Sequence, residues 1–434
     1  MAKSIIEGIS ILNSPPASNQ VPKAPVVHLS NGLVLDDRIF ESPTLLLGSV
    51  GSGKSVILKE ILHCVYDYAT RVKDNMVVFC AKKDLLRFAK SNDLIISVDS
   101  TNPKYAWNIF LELDASKNPE LTARDIAKTL FKGQRSDLQP FFVNASQDIF
   151  VQSLLFMYHR SKATGQHYSN WEFIDFLEKT PMWQKTENDI PGWHELAERY
   201  PNYFGHVKDY LGNDLGQGFG VLSELRTLAS ETFFGSFCQK GGSFSAINAL
   251  KTGNSRIFLY YDQANASEAS LKIFQCILDL LFKHSVDEGN NHKTWFLIDE
   301  ASLLPRSNAL IDAMSYGRES GFRLVMALQS AQLMSRRYSE SEAKSILSLF
   351  PNLISLRVQD SMSRELLSDR YGKALYAYSY TSVTQKILPA ERERNVIADS
   401  DFYPLSKKGT AICSLPALGP YPFFYDGYRK ELDQ

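Results

Sequence analysis

The feature that most constrains this 434-residue chain is the stretch LLLGSVGSGKSVILKEIL, which runs from Leu45 to Leu62. An apolar run stops at Gly48, which begins a loop with three glycines, and an apolar pattern with helical spacing comes after a Lys-Ser pair. Residues 48–55 fit the pattern GxxxxGK[ST]. A strand, this loop and a helix in that order are typical of a loop that holds phosphate, so the sequence predicts a nucleotide-binding core.

Each residue type in the loop has a chemical reason. Glycines let backbone N–H groups converge on phosphate oxygens, and the N-terminus of the following helix adds a positive dipole. Lys54 is expected to reach the β- and γ-phosphates, and Ser55 to bind Mg²⁺. We therefore expect ATP and Mg²⁺ as ligands. The predicted nucleotide-binding residues are Gly48, Ser49, Val50, Gly51, Ser52, Gly53, Lys54 and Ser55.

A second motif supplies acidic partners for such a loop. Trp295-Phe-Leu-Ile reads as a buried strand, and Asp299 and Glu300 follow it directly. We expect Asp299 to hold the Mg²⁺ shell and Glu300 to polarise the attacking water. The long separation between the two motifs exceeds that of a simple RecA-like core, and an inserted domain accounts for it.

Composition narrows the class of protein. Hydrophobic residues make up 44% of the chain and the formal net charge is −1. The chain can thus bury a large core, and any DNA contact must come from local patches or a lined channel rather than a global basic field. The five cysteines form no CxxC pair and the histidines no HExxH motif, which favours reduced thiols over disulfides or zinc. No apolar run is long enough for a membrane helix, so we expect a cytoplasmic protein.

The pattern along the chain predicts an α/β fold with a helical insertion. Strand and helix patterns alternate over 44–112 and again from 256, with near-continuous apolar strands that indicate a mainly parallel sheet. The patterns between them are helical. We predict an N-terminal arm with a short strand (1–40), a RecA-like domain (41–114 and 236–434) and an all-α domain (115–235).

Individual elements follow from the same patterns. The predicted strands of the first half are 44–47, 76–80 and 94–98. The predicted helices up to residue 232 are 55–69, 84–90, 121–131, 145–160, 171–179 and 219–232.

Two more polar residues have positions that suggest chemistry. Gln329 follows the apolar strand RLVMAL, at the end where ligands bind in parallel sheets. It could contact the γ-phosphate or the attacking water. Arg318 lies on the turn before that strand and could act as an arginine finger for the nucleotide of a neighbouring subunit. Taken singly, an ordinary strand-end glutamine and a surface arginine are equally open interpretations.

Taken together, these motifs resemble a known family. The segment GRESGFRLVMALQSAQL (317–333) is similar to that of the type IV coupling proteins, the conjugative DNA-transfer ATPases of the TrwB and TraD kind within the FtsK/HerA superfamily. The stretch IISVDSTNPKYAWNIFLEL (95–113) and LLSDRYGKA (366–374) resemble further family segments. The likeness covers roughly residues 40–425 and is tightest over 44–60 and 295–335.

The resemblance implies a specific activity. The family combines a RecA-like domain with an all-α domain, assembles as a ring, usually a hexamer, around DNA, and links a relaxase–DNA substrate to a secretion channel. By motif, Lys54 and Ser55 are the phosphate-loop pair, and Asp299 and Glu300 are the acidic pair. Gln329 is the γ-phosphate sensor, and Arg318 is the finger that acts in trans. DNA binding is expected to be largely independent of base sequence.

One departure from the family leaves alternatives open. Its members usually begin with transmembrane helices, and this sequence shows none. The chain is then either a soluble member recruited to the membrane by a separate anchor subunit, or a member of a lineage that uses the same motor elsewhere.

Two other functions also fit the motifs. One is a nucleotide-gated receptor for a relaxase or other protein, with slow ATPase activity. The other is a related secretion ATPase that acts on protein clients.

Overall fold

A computed structural model gives the fold. The structure describes residues 2–8, 10–16, 25–132, 140–182, 191–212, 215–262, 268–287, 291–304, 306–336, 338–381, 387–397, 401, 405 and 407–427.

Strands and helices alternate along much of the chain. The strands are β1 (Ala2–Glu7), β2 (Pro25–His28), β3 (Val34–Asp36), β4 (Thr44–Leu47), β5 (Asn75–Cys80), β6 (Leu94–Ile96), β7 (Arg256–Tyr260), β8 (Thr294–Ile298), β9 (Phe322–Leu328), β10 (Asn352–Ser355), β11 (Lys373–Thr381), β12 (Ile387–Asn395), β13 (Thr410–Ser414) and β14 (Phe423–Asp426). The α-helices are α1 (Asp37–Phe40), α2 (Lys54–Val72), α3 (Ile109–Ala115), α4 (Pro119–Leu130), α5 (Pro140–Thr164), α6 (Asn170–Lys179), α7 (Trp193–Arg199), α8 (Pro201–Phe204), α9 (Val207–Leu211), α10 (Leu215–Thr232), α11 (Ala246–Thr252), α12 (Glu268–Ser285), α13 (Asn308–Tyr316), α14 (Ala331–Met334), α15 (Glu340–Ser348) and α16 (Ser361–Tyr371).

The chain divides into two compact units, residues 1–80 with 285–434 and residues 81–284. The first unit contains a sheet in the order β14-β13-β10-β4-β9-β8-β5. From β10 to β5 all neighbours are parallel. These five strands are buried along their whole lengths, because apolar side chains fill both faces. The predicted α/β class with a mainly parallel sheet is confirmed.

Antiparallel strands border this parallel core. β13 pairs antiparallel with β10, and β14 with β13. A separate sheet in the order β1-β11-β12 joins the start of the chain to the hairpin at 373–395. The N-terminal segment that reads as a partly extended arm is therefore paired as a strand. This pairing has no signature in the local sequence, since any extended segment can supply the backbone groups.

The second unit is mainly helical. It contains the parallel pair β6 and β7 and the helices from α3 to α12. The helices predicted over 121–131, 145–160, 171–179 and 219–232 are confirmed, with α5 longer at both ends. The segment predicted as helical over 84–90 forms a 3₁₀ helix over Lys83–Phe88, which ends two residues earlier than predicted. The Asp93 carboxylate accepts a hydrogen bond from the Lys90 amide at 2.7 Å, so the chain turns there instead of continuing the helix.

The predicted domain boundaries at 115 and 235 remain a prediction. The division by contacts places residues 81–114 and 236–284 with the helices. Among the helices that the structure describes, none is long and apolar enough to cross a membrane.

A fully buried carboxylate organises the second unit. Glu112 on α3 accepts hydrogen bonds from the Trp107 indole at 2.7 Å and the Ser245 hydroxyl at 2.8 Å. The amides of Ala246 and Ile247 donate to it at 2.6 and 3.0 Å, so the carboxylate also caps the start of α11. Burial raises the pKa of Glu112, and these four donors oppose that shift.

We expect Glu112→Gln to destabilise the protein by about 3 kcal/mol, because the carboxamide nitrogen cannot accept the hydrogen bonds that one carboxylate oxygen receives. The matched control is Glu120→Gln on α4, where the carboxylate is exposed and pairs with Arg124. Its expected effect is about 0.5 kcal/mol or less. Calorimetric unfolding of the full chain measures both variants. Equal shifts of the two midpoints would contradict this role for Glu112.

Candidate functional site

The glycine-rich loop lies where the parallel strands end. It connects β4 to α2, and the Gly48 amide donates to the Leu328 carbonyl at the end of β9, at 3.1 Å. In the β4–β9 pairing Leu47 lies opposite Leu328, so the loop and Gln329 leave the sheet side by side. The carboxyl ends of parallel strands share one edge, which we call the carboxyl edge.

Two glycines of the loop are required by its geometry. Gly53 has φ of 106°, a left-handed conformation that L side chains rarely adopt. At Gly48, a Cβ atom would lie 2.8 Å from the Ser52 hydroxyl and 2.9 Å from Cβ of Leu356. The loop therefore turns tightly, and there is no room for a side chain at Gly48.

Main-chain contacts hold the loop from two sides. The Arg357 carbonyl, which follows β10, accepts hydrogen bonds from the Ser49 amide at 2.8 Å and its hydroxyl at 3.0 Å. The Gly409 amide, which precedes β13, donates to the Ser52 carbonyl at 2.8 Å. Sequence reasoning did not find Arg357 or Gly409. The only local sequence signal for a turn is the Lys-Lys-Gly at 407–409, just before β13. It does not indicate what the turn contacts.

The side chains of the loop suit an anionic ligand. Lys54 is buried, and its ammonium donates to the carbonyls of Gly48 and Ser49. Ser55 is half-buried in the first turn of α2. The Ser52 hydroxyl is buried and has no hydrogen-bond partner among the residues that the structure describes. Val50 is 75% exposed at the tip of the loop.

The acidic pair reaches the same edge. Asp299 directly follows β8, is buried, and its amide donates to the Phe79 carbonyl at 3.1 Å. Glu300 is half-buried and accepts a hydrogen bond from Nε2 of Gln329 at 2.5 Å. Its other oxygen accepts from the Ser302 hydroxyl at 2.6 Å. The structure thus brings Glu300 and Gln329 into direct contact, with Asp299 beside them in the chain.

The oxygens available here match what a hard divalent cation prefers. Ser55 and Asp299 each contribute one side chain at the carboxyl edge. Among the described residues, no group of three or more His, Cys, Asp or Glu side chains could hold a metal ion. A magnesium ion at this edge would therefore depend on phosphate oxygens and water for the rest of its shell, which is its usual mode of binding with nucleotides.

Arg318 lies at the other edge of the sheet. It is in the turn before β9, and that seven-residue strand separates it from Gln329 by about 20 Å. Its guanidinium pairs with Glu41 at 2.9 Å and is 68% exposed. The structure therefore does not bring Arg318 to the phosphate loop of its own chain.

A cluster of charged side chains, of which Arg323 is buried, fixes the turn that carries Arg318. The Arg323 guanidinium donates to the Arg318 carbonyl at 3.3 Å and to the Asp37 carboxylate at 3.2 Å. Lys293 also pairs with Asp37. Burial tends to raise the pKa of Asp37, but hydrogen bonds from Lys293 and Arg323 outweigh it and leave that pKa below its ordinary value.

Comparisons with known structures agree with this architecture. A bacterial conjugative coupling protein, TrwBdeltaN70 in a trigonal form with sulphate, superposes with a TM-score of 0.74 at 17% identity, over 98% of this chain and 94% of that chain. The plasmid coupling protein TrwB in complex with ADP and Mg²⁺ gives 0.72 at 17% identity, over 98% and 95%. VirB4 of Thermoanaerobacter pseudethanolicus gives 0.52 at 13% identity, over 95% and 97%.

Sequence comparison assigns the family. A search of the curated proteins found no match to this sequence. The profile of the type IV secretion-system coupling protein DNA-binding domain matches residues 30–385, which is most of the chain. The fold and the motifs at the carboxyl edge agree with that match. The chain therefore belongs to the family of type IV secretion-system coupling protein DNA-binding domains.

Proposed function

We propose that this protein is an ATP-driven DNA translocase that serves as a coupling protein in conjugative DNA transfer. The observation that carries the proposal is the contact between Glu300 and Gln329 at 2.5 Å. It lies on the carboxyl edge, where the glycine-rich loop follows β4. A carboxylate next to an amide at this position can hold a water for attack and sense the presence of the terminal phosphate. The family match supplies DNA as the partner.

ATP with Mg²⁺ is the proposed ligand of the loop. The related TrwB has been observed in complex with ADP and Mg²⁺ and with the non-hydrolysable ATP analogue ADPNP. In this chain the residues that would contact the phosphates are the loop amides and Lys54. Ser55 and Asp299 would hold Mg²⁺, which would neutralise phosphate charge.

The chain's own residues divide the work of hydrolysis. Lys54 would exchange the loop carbonyls for phosphate oxygens, since its ammonium is a mobile point charge on a flexible stem. Glu300 would orient the attacking water and accept its proton. Gln329 links Glu300 to β9, so a change at the terminal phosphate would be transmitted to the next element, α14.

The position of Arg318 favours action on a neighbour. Within one chain it lies about 20 Å from the carboxyl edge, at the amino end of β9. Its exposed pair with Glu41 contributes little stability and can be exchanged for a phosphate contact. We propose that protomers associate head to tail in a ring, a hexamer when active, in which Arg318 completes the neighbour's site.

The family role suggests the other partners. DNA would pass through the ring with little dependence on base sequence, because phosphate contacts carry affinity but no sequence information. A relaxase or relaxosome protein would deliver the DNA, and a secretion channel would receive it. A separate anchor subunit would recruit the protein to the inner face of the membrane.

Lys54→Ala is expected to reduce ATP hydrolysis at least about 100-fold while leaving the fold intact, because the positive charge that would contact the phosphates is lost. Arg71→Ala, at the exposed far end of the same helix, should keep normal activity. Phosphate release measures activity, and circular dichroism checks the fold. Normal hydrolysis by Lys54→Ala would refute the site assignment.

A mixing experiment tests whether Arg318 acts between subunits. Arg318→Ala alone should lose about 10³-fold in activity, and Lys54→Ala alone should be inactive. When the two variants are mixed before assembly, an Arg318→Ala site can receive Arg318 from a Lys54→Ala neighbour. In a random arrangement, about one site in four has Lys54 in its own subunit and Arg318 from its neighbour. About a quarter of wild-type activity should therefore return. If the mixture stays inactive, Arg318 does not act in trans.

A further inference from the structure

A segment near the end of the chain contacts the glycine-rich loop directly. The Gly409 amide donates to the Ser52 carbonyl at 2.8 Å, and the Gly409 carbonyl accepts from the Gly427 amide at 3.0 Å. Gly409 therefore connects the loop to the residue after β14. It also lies beyond residues 30–385, the range that the family profile matches.

The approach of the two backbones is close. A Cβ atom on Gly53 would lie 2.6 Å from the nitrogen and 2.9 Å from the Cα of Gly409. Backbone atoms cannot rotate away as a flexible side chain can. The loop can therefore keep this position only while the backbone at residue 409 follows its present path. Gly409 itself has φ of 85°, which favours glycine over every other residue.

The two contacts that hold the loop come from paired strands. Arg357, which holds Ser49, follows β10, and Gly409, which holds Ser52, precedes β13. β10 and β13 are hydrogen-bonded to each other, with Ser355 opposite Ile412. Both sides of the phosphate loop are thus fixed by one pair of antiparallel strands, and a shift of β13 would move Ser52 and Gly53.

We propose that Gly409 is a positioning residue for the phosphate-binding loop, and that nucleotide affinity is coupled through it to the C-terminal hairpin β13–β14. Its amide and its left-handed conformation hold Ser52 and Gly53 in the phosphate-binding geometry. The identity of the ligand rests on the function proposed above, whereas the coupling between hairpin and loop does not.

The test compares Gly409→Ala with Gly372→Ala. Gly372 also has a left-handed φ, of 63°, and a Cβ there would meet nothing within 4 Å. It follows α16 in the same compact unit, so both substitutions place a side chain at a positive φ but only one acts at the loop. Gly409→Asn is a milder third variant, because Asn adopts left-handed conformations more readily than Ala.

Amide hydrogen exchange over residues 48–56, without nucleotide, should rise about tenfold in Gly409→Ala, less in Gly409→Asn, and not at all in Gly372→Ala. The KM for Mg²⁺-ATP should rise about tenfold in Gly409→Ala, with kcat at saturation nearly unchanged. Identical loop exchange in Gly409→Ala and Gly372→Ala would overturn the proposal. If the wild type neither binds nor hydrolyses ATP, the proposed function fails, and the exchange comparison still decides the positioning role.

Discussion

The register of the parallel strands is the constraint on which the candidate site depends. Leu47 lies opposite both Leu328 and Ser355, and Ile298 lies opposite Met326. This alignment ends β4, β8, β9 and β10 at one edge, so the phosphate loop, the acidic pair, Gln329 and Arg357 emerge together. A shift of one residue would turn every side chain of a strand to the opposite face, which the fully buried sheet does not tolerate.

The polarity of the same sheet gives the unit two different edges. The carboxyl edge carries the loop, Glu300 and Gln329, whereas the amino edge carries Arg318 on a turn fixed by Arg323. An interface that joins these two different edges is heterologous, as in a ring, and not the isologous interface of a two-fold dimer. In the proposed ring, each nucleotide would lie between the carboxyl edge of one protomer and Arg318 of the next.

Local sequence patterns predicted those features that residues adjacent in the chain determine, namely the strands, the helices and the residues at the ends of strands. The apolar runs and glycines around Gly48 give β4 and α2, and the rule for parallel strands places Glu300 near Gln329, as the structure shows. The contacts of Arg357 and Gly409 could not be predicted, because backbone groups of any residue can make them. The burial of the Glu112 carboxylate could not be predicted either, since a carboxylate in a helical pattern usually faces solvent. The roles of the site residues remain predictions.

In the proposed function, DNA drives ATP hydrolysis by an assembled ring. Its most direct test is the ATPase rate with and without single- and double-stranded DNA, measured over a series of protein concentrations at fixed salt, because DNA binding depends strongly on ionic strength. We expect DNA to stimulate the rate and specific activity to rise steeply with protein concentration. A slow rate that is indifferent to DNA and to concentration would contradict it, and would favour a nucleotide-gated receptor for a protein substrate.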